Sequence, residues 1–526
     1  MSAKNVFVRE ATGLVKEVSI LDALIGNIIV FNLVIAAVTI MVIPYTFPGS
    51  NLPLSVLLTF PLALCLALIY VLFGMAMPRS GGDYVYISRV LHPALGFAAN
   101  FNITIWTALW IGVYSNWFTT IGLSGTFSTL GALLTRPDLL GLGSTIVQPV
   151  PSILIGTAVN VLVAALVISG LKRALTAQKI IFIISIIGVG LVILVLAITP
   201  HEAFVQRFDQ LASYNGIIET ASQNGFSTVS DWNQLGPTLG ASLLVALSLM
   251  FAQSSQWIGG ELKDAKKNVP VSIIGCLVVG TIGMYLLATV AVSTFGPDFM
   301  AAIQYVYYAV PGKYPLSVPP SYNLLASIGF PNLIVIVIIG LGFTLWSVGV
   351  IIFDQLIVSR CVLSWSFDRV FPKKFAEVNS RWSTPVPAIA LAAAIAEIFL
   401  IYYSYNPTVS FLAGSTLGYM LGFATLAVAA VPFPYKLKKI YENSPAKRSV
   451  GGIPVISILG IVTIVYFVFL IYTYLVNPVF GANAPQGIFF MVFLWIIGFV
   501  IFYVAKFYNK RNGVDLDLVF KEIPPE

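Results

Sequence analysis

The sequence predicts an all-α integral membrane protein with twelve membrane-spanning helices. The 526 residues are 58% hydrophobic and 9% charged, and the mean hydropathy of +0.92 lies outside the usual range of soluble domains. Twelve apolar stretches are long enough to cross a bilayer core of about 30 Å, which takes roughly 20 helical residues. The basic residues fall in every second connection between these stretches, as the topology of a polytopic protein requires.

Each stretch is predicted to be one helix, because a backbone in hydrocarbon must satisfy its hydrogen bonds internally. The third and eighth stretches are the longest, which predicts strong tilt. In chain order the predicted spans are 20–45, 52–77, 94–122, 150–170, 178–199, 238–260, 270–294, 329–358, 385–404, 408–433, 453–476 and 486–508.

Lysine and arginine are confined almost entirely to one side of these spans. Of the 28 basic residues, 25 lie in the termini and in every second loop, and the other side holds only Arg136, Arg207 and Lys313. By the positive-inside rule the basic side is cytoplasmic, which predicts a multi-pass plasma-membrane protein with both termini in the cytoplasm. The formal net charge of +7 therefore indicates topology and contact with anionic membrane lipid, not nucleic-acid binding.

Two spans carry flexible or polar residues at membrane depth. Span 1 contains Gly26-Asn27 about one turn in, followed by Asn32, and span 6 contains the polar run 251–256. Broken helices at matching positions indicate a transporter site built from inverted repeats. Because spans 1 and 6 are five apart, the pattern predicts two inverted halves of five helices, followed by two further helices.

This arrangement divides the chain into seven segments. Segments 78–93 and 295–328 become equivalent elements on opposite faces, each able to gate one vestibule. The predicted segments are the cytoplasmic N-terminal tail 1–19, the first repeat 20–199, an extracellular loop 200–236, the second repeat 237–433, a cytoplasmic loop 434–452, the last two helices 453–508 and the cytoplasmic C-terminal tail 509–526.

Three motifs follow the second, sixth and eighth spans on the basic side. The first is Pro78–Tyr86 (PRSGGDYVY) with His92-Pro93 and Gly96-Phe97, and the second is Glu261–Pro270 (ELKDAKKNVP). The third comprises Ser359-Arg360, Asp368-Arg369, Pro372, Phe375, Val378-Asn379 and Pro385. Over about the first 435 residues the chain thereby resembles the amino acid permeases of the amino acid–polyamine–organocation (APC) superfamily. The resemblance implies the leucine-transporter type of fold, alternating access, and amino acids or related amines as substrates.

An amino acid at the membrane midplane presents a carboxylate and an ammonium that both need partners. A broken helix offers free N–H groups and a positive half-helix end to the carboxylate, and free carbonyl groups to the ammonium. We expect Gly26, Asn27 and Ile28 to bind the carboxylate. The ammonium and the side-chain pocket are assigned to Phe251, Ala252, Gln253, Ser254 and Ser255. The alternative for both sets is close helix packing with interhelical hydrogen bonds.

Helices 3 and 8 flank the substrate in the family that the chain resembles, which implies that aromatic residues there close the pocket. Span 3 carries Trp106, Trp110 and Tyr114 along one helical stripe. Trp110 and, on span 8, Trp346 are the expected substrate contacts. The alternative is that they pack against neighbouring helices or face lipid.

Two carboxylates lie inside spans, where ionisable residues are functional by default. Asp354 in span 8 is the expected coupling residue, binding Na⁺ or carrying a proton; the alternative is a structural hydrogen bond or an ion pair with Arg360. The resemblance implies a coupling lysine on helix 5 of some relatives, and that place falls at Ser185, so the lysine is missing here. Glu397 in span 9 is expected to be a packing carboxylate. No cofactor and no metal ion other than this Na⁺ is expected.

Charged residues on the cytoplasmic side suggest a gate. Ion pairs among them would favour a state closed to the cytoplasm, and exposed pairs of this kind contribute about 0–1 kcal/mol each. The alternative is a set of solvated loop charges. The candidate gate residues are Arg79, Asp83, Glu261, Arg360 and Asp368.

The leading interpretation is a secondary active transporter that takes up neutral or apolar amino acids, driven by H⁺ or Na⁺. The alternatives are an amino acid or amine exchanger, a polyamine or cationic amino acid carrier and, remotely, a nutrient sensor with a transporter fold. A cationic substrate would favour a carboxylate near the breaks, and spans 1 and 6 contain none there. No enzymatic activity is expected, because the chain has neither a phosphate-binding Gly-x-x-x-x-Gly-Lys-Ser/Thr loop nor a nucleophile–base pair.

Overall fold

The computed structural model describes residues 13–227, 229–407 and 409–522, so residues 1–12 and 523–526 of the two predicted tails lie outside it. Within the described residues, twelve helices are long and apolar enough to span a membrane, which confirms the predicted all-α fold class. The spans are Ile20–Thr46, Leu52–Ala76, Pro93–Leu133, Pro149–Ile168, Leu171–Ala197, Leu235–Trp257, Ala265–Phe295, Leu333–Phe367, Val386–Tyr405, Val409–Ala430, Val455–Val476 and Pro485–Arg511.

Short elements cover both ends of the bundle. The basic face is the end that carries residues 13–19 and every second connection from there; the opposite face carries the other connections. The short helices of the basic face are Asp83–Val90, Lys373–Ala376, Phe433–Lys436, Lys438–Glu442 and Leu516–Val519, with a hairpin of strands Ser449–Val450 and Ile453–Pro454. Those of the opposite face are Pro137–Ile146, His201–Phe208, Tyr214–Gln223, Pro297–Ala309, Pro311–Lys313, Tyr322–Gly329 and Pro478–Phe480.

Three spans extend at one end by seven residues or more beyond the prediction. Span 3 continues past residue 122 through a π-helical turn, Phe118–Leu123, into helix Ser124–Leu133. Span 5 begins at Leu171 instead of 178, and span 8 ends at Phe367 instead of 358. Hydropathy detects only the apolar part of a helix, whereas these helices continue into the polar zone beyond it. Arg360 therefore lies within span 8 and not in the following loop.

Span 1 is interrupted at Asn32. Helix Ile20–Phe31 ends where Asn32 adopts a left-handed φ of +64°, a conformation that asparagine tolerates better than most residues. The Asn32 side chain then accepts the N–H of Ile35 and so starts helix Leu33–Thr46. An asparagine cap of this kind satisfies one of the N–H groups that a new helix leaves open.

The expectation that span 1 breaks at Gly26-Asn27 was wrong, because both residues are helical. Gly26 instead gives room to span 8: a Cβ there would lie 2.2 Å from a ring carbon of Phe353. Asn27 uses its side chain to accept the N–H of Ser255 at 2.6 Å. A glycine that serves close packing and a glycine that ends a helix look the same in sequence.

Span 6 is interrupted where the polar run predicts it. Helix Leu235–Leu249 ends at Met250, and the chain continues as a turn and a 3₁₀ segment, Ser254–Trp257. A second 3₁₀ segment, Gly259–Glu261, follows before span 7 begins at Ala265. We call residues 250–262 the unwound segment. The two interrupted spans are five apart, as predicted for two inverted halves followed by two further spans.

The core lies where spans 1, 3, 6, 8 and 10 meet. Span 8 packs along spans 3 and 5, and its Trp346 donates a hydrogen bond to the carbonyl of Ile29 at 2.8 Å. The peripheral spans expose large apolar side chains, as lipid-facing helices do. Examples from spans 4, 9, 11 and 12 are Leu162, Ile398, Val465 and Phe489.

Candidate functional site

A cavity of about 290 Å³ lies between the two interruptions. It follows helix Leu33–Thr46 and span 6 from the breaks toward the opposite face, and Trp257 lines its end on the basic side. Most lining groups are apolar, as is usual for small-molecule sites. The aromatic residues that line it are Phe31, Trp110, Tyr114, Phe251, Trp257, Tyr419, Tyr474 and Phe480. The polar ones include Asn32, Thr107, Ser248, Ser254, Asp354 and Ser415.

The break in span 1 presents the start of a helix to this cavity. The first N–H groups of helix Leu33–Thr46 have no partner within the helix, and Ile35 of its first turn lines the cavity. Asn32 lines the cavity, and its amide donates to the Tyr114 hydroxyl at 3.2 Å. A helix start carries a partial positive charge. The cavity therefore has one end suited to an anionic group.

Asp354 is the carboxylate of the cavity. Its side chain is buried from bulk solvent yet lines the cavity. Within the described part of the chain it makes neither a hydrogen bond nor an ion pair, and Tyr114 and Tyr419 line the same space. The alternative of a pair with Arg360 was wrong, because Arg360 binds Glu261 instead. Asp354 thus offers a carboxyl group without a protein partner to whatever enters the cavity.

The structure places three of the expected substrate residues around the cavity besides Asp354: Trp110, Phe251 and Ser254. Seven others do not line it, and some of these make hydrogen bonds at the breaks instead. Ile28 accepts the N–H of Asn32, for example, and Gln253 donates to the carbonyl of Met250. The seven are Gly26, Asn27, Ile28, Ala252, Gln253, Ser255 and Trp346.

Several cavity residues were not assigned from sequence. Asn32 was noticed as a polar residue in span 1, and Tyr114 belongs to the stripe that includes Trp110. Tyr419 and Ser415 of span 10 gave no signal, because single polar residues in an apolar helix are common. Ser415 accepts the indole N–H of Trp110 at 3.1 Å, and the Tyr419 hydroxyl lies 2.9 Å from that of Thr107.

Ser185 lies in span 5, outside the cavity lining, and its buried hydroxyl has no partner among the described residues. A lysine does occur on span 5 at a different place. Lys179 forms a 2.8 Å ion pair with Asp22 of span 1, close to the basic face. The pair ties the first half of span 1 to span 5.

Glu397 makes the contacts expected of a packing carboxylate. It accepts hydrogen bonds from Thr157 and, at 3.1 Å, from Asn160 of span 4. The side-chain Oδ1 of Asn160 in turn accepts a hydrogen bond from the Gln355 side chain of span 8 at 3.1 Å. Glu397 therefore joins spans 4, 8 and 9 away from the cavity.

A buried ion pair lies beneath the cavity on the basic side. The Arg360 guanidinium donates two hydrogen bonds to Glu261, at 2.8 and 2.9 Å, and both side chains are at most 1% exposed. The sequence-based expectation of exposed, weak pairs was wrong here. The backbone next to Glu261 is bonded to the N-terminal segment, because Val18 donates to the Glu261 carbonyl and Lys263 donates to Val18.

The other gate candidates have different partners. Asp368 is fully buried and binds Arg89 at 2.6 Å and the Tyr84 hydroxyl at 2.9 Å. Arg79 donates to the carbonyl of Pro78 at 2.8 Å. The candidate charges are thus brought to one face, where Arg360 pairs with Glu261 and Asp368 pairs with Arg89.

Asp83 is buried directly behind the cavity wall. One carboxylate oxygen accepts the indole N–H of Trp257 and, at 3.3 Å, the side-chain amide of Asn100. Burial raises the pKa of Asp83 to about 7, although these two hydrogen bonds act in the opposite direction. Because Trp257 lines the cavity, Asp83 is linked to the cavity through one indole ring.

These contacts close the basic side of the cavity. Any movement toward the basic face must pass Trp257, the Arg360–Glu261 pair and the bonds to Val18. In comparison with known proteins, residues 27–502 match the family described as amino acid permease.

Proposed function

This chain belongs to the amino acid permease family, and on that premise we propose that it transports its substrate by alternating access, coupled to H⁺ or Na⁺. The observation that supports this most is the cavity between two interrupted helices, which is closed on the basic side by side-chain contacts and by backbone hydrogen bonds between segments outside the regular helices. Such contacts can be broken without unfolding a span. The arrangement is therefore one of two states of the same bundle.

The proposed binding mode follows the charges of the cavity. The substrate carboxylate binds at the start of helix Leu33–Thr46, where N–H groups are open. The ammonium binds near the carbonyl groups of the unwound segment and the Asp354 carboxylate. An apolar side chain fits among Trp110, Phe251 and Tyr419. Neutral, apolar amino acids are the substrates best matched to these walls.

The charge of Asp354 links the substrate class to the coupling ion. An isolated ionised carboxylate in an apolar cavity is strongly unfavourable. A neutral amino acid brings no net charge, so its binding leaves Asp354 in need of a proton or Na⁺. This need supports coupled uptake of a neutral substrate, with Asp354 as the residue that holds the ion.

A second candidate is a carrier of cationic amino acids or amines. A cationic substrate favours a carboxylate at the breaks, and Asp354 supplies one from span 8, beside Asn32 and Ser254. A substrate with one net positive charge would neutralise Asp354 without an ion. Such a carrier, or an exchanger, would need no gradient of H⁺ or Na⁺.

The proposed direction is uptake across the plasma membrane, with the basic face in the cytoplasm. The excess of lysine and arginine on that face supports this orientation. The cavity then extends toward the outside, from which it receives substrate, and opens to the cytoplasm when the gate contacts part.

Uptake of labelled amino acids into proteoliposomes tests the proposal. Neutral and cationic amino acids are each offered with an inward H⁺ gradient, an inward Na⁺ gradient, neither gradient, or preloaded amino acid inside. Asp354→Asn is the test variant. Glu397→Gln is the matched control, because Glu397 is also a span carboxylate but lies outside the cavity.

We expect one gradient to drive accumulation of a neutral amino acid, and Asp354→Asn but not Glu397→Gln to abolish that accumulation. Gradient-independent uptake of cationic substrates, lost in Asp354→Asn, would replace the proposal with the second candidate. Uptake confined to preloaded vesicles would make the protein an exchanger. Full accumulation by Asp354→Asn would remove Asp354 from the coupling step.

A further inference from the structure

We infer that Asp83 is a proton-binding site that latches the basic face closed. Its carboxyl group is fully buried one layer below the cavity, behind Trp257. The inference rests on the proposed alternating access, because a latch has a role only in a protein that opens toward this face. The inference gives Asp83 a role different from that of Asp354, which lies inside the cavity.

The first argument is how closely the loop before Asp83 fits the unwound segment. The Gly81 N–H donates to the Trp257 carbonyl at 2.9 Å. Gly82 has a positive φ of +48°, and a Cβ there would lie 3.0 Å from the Gln256 carbonyl oxygen. The Trp257 indole also donates a hydrogen bond to Asp83. The backbone of Trp257 is therefore bonded to Gly81 and its side chain to Asp83.

The second argument is that the Asp83 charge has no compensation. Its Oδ2 has no hydrogen-bond partner, and no cation pairs with it, among the residues that the structure describes. The titratable groups that face it are Tyr70 of span 2 and Cys361 of span 8, both ordinarily neutral at pH 7. The nearby charges of Arg360 and Glu261 are bonded to each other.

A buried carboxyl group without a cation is stable in its protonated form. The closed arrangement holds Asp83 away from water, with a pKa of about 7. Opening the basic face exposes Asp83 to water, where an aspartate has a pKa of about 3.9. The open form therefore binds the proton more weakly. The extra stability of the closed form is complete below pH of about 4 and is lost as the pH rises to about 7.

Opening of the basic face therefore releases the Asp83 proton at pH values between about 4 and 7. A low pH in the solution at this face then favours the closed form, and a neutral pH allows the face to open. Opening becomes up to tenfold easier for each pH unit within this window, because one proton is released.

Hydrogen exchange tests the latch without any substrate. The amides of Val18, Gly81 and Lys263 donate across the contacts that must break, so their exchange reports opening. The full chain in lipid nanodiscs is measured at pH of about 5, 6, 7 and 8, and rates are corrected for the intrinsic pH dependence of amide exchange. We expect at least tenfold more opening at pH of about 7 than at about 5, and a plateau above it.

Two variants and one control make the result specific. Asp83→Asn keeps the shape but cannot ionise, so its opening should not change with pH. Trp257→Phe removes a donor that favours the ionised form, so its plateau should move to higher pH. Asp264→Asn alters an exposed carboxylate of the same region and should behave as the unaltered chain does.

A pH-independent opening in the unaltered chain overturns the inference, as does a pH dependence that persists in Asp83→Asn. If Asp83→Asn does not fold, an unmoved plateau in Trp257→Phe overturns it. Because the readout involves no transport, failure of the latch leaves the uptake results unaffected, and failure of amino acid uptake leaves the exchange results interpretable.

Discussion

Asparagine side chains occupy the positions where segments of irregular backbone meet. Asn27 accepts an N–H from the unwound segment, and Asn32 caps the second half of span 1. Asn100 donates to Asp83 and accepts the indole N–H of Trp365 at 2.7 Å. An amide can donate and accept at once without carrying a charge. It therefore satisfies broken backbone inside a membrane at a lower desolvation penalty than an ionised group.

Replacing Asn32 should distinguish the contribution of its left-handed backbone conformation from the contribution of its side-chain cap. Asn32→Gly keeps easy access to the left-handed φ of +64°, whereas Asn32→Ala adds steric strain there. We expect Asn32→Ala to lower the free energy of unfolding by about 1–2 kcal/mol more than Asn32→Gly. Chemical denaturation in detergent measures both. Equal losses in the two variants would contradict a left-handed residue at the break.

Gly26→Ala should destabilise the protein because span 1 has no room for a methyl group opposite Phe353. Forcing the ring to move costs about 1–3 kcal/mol. Gly190→Ala in span 5 is the matched control, because a Cβ there meets nothing within 4 Å. Thermal unfolding of both variants makes the comparison. A Gly26→Ala variant as stable as the control would show that the two spans pack less closely.

Single elements carry several functions at once in this protein. Span 8 presents Asp354 to the cavity and Arg360 to the gate, and its Phe353 packs on Gly26. The unwound segment is bonded to the loop before Asp83, to Arg360 of span 8, to Val18 of the N-terminal segment and to Asn27 of span 1. The proposed opening of the basic face breaks the first three of these sets of contacts.

Breaking the Arg360–Glu261 pair on one side should be strongly destabilising. Glu261→Gln leaves a buried guanidinium without its counter-charge, which costs about 3–5 kcal/mol. We expect the double variant Glu261→Gln/Arg360→Gln to lose less than the sum of the single variants. A double-mutant cycle of unfolding free energies measures this coupling.

The exposed pair Lys438–Glu442 supplies the control for that cycle. Its atoms are 3.9 Å apart and its side chains 73% and 46% exposed, so Glu442→Gln should change stability by less than about 0.5 kcal/mol. If Glu261→Gln behaves in the same way, the Arg360–Glu261 pair does not hold the gate.

The sequence predicts elements better than it predicts contacts. Apolar length and charge alternation were sufficient for the twelve spans, and the polar run 251–256 marked the break in span 6. The break in span 1 was misplaced by five residues, from Asn27 to Asn32, because side-chain caps and close packing both use small polar residues. Tyr419 reaches the cavity from span 10, and no local pattern identifies a contact between distant helices.

At the scale of the whole molecule, the distribution of basic residues and the position of the closed end of the cavity both distinguish the same face. The basic face carries the excess of lysine and arginine, and the same face is the one that side chains seal. The cavity extends from the breaks toward the opposite face. The proposed uptake therefore begins on the side that is poor in positive charge.

Cysteine labelling tests the orientation in intact cells. Cys65, Cys276 and Cys361 are replaced by alanine, and either Ser222→Cys on the opposite face or Ser449→Cys on the basic face is introduced; both positions are exposed. We expect a membrane-impermeant maleimide to label Ser222→Cys at once and Ser449→Cys only after permeabilisation. The reverse pattern would invert the proposed direction of transport.

Span 8 runs as one uninterrupted helix from Leu333 to Phe367. Asp354 and Arg360 are therefore fixed in angular phase, and each inserted or deleted residue between them would rotate one about 100° relative to the other. The proposed roles of Asp354 and Arg360 therefore depend on the length of this stretch. Among proteins that share this mechanism, the six-residue interval should be free of insertions and deletions even where its residues differ.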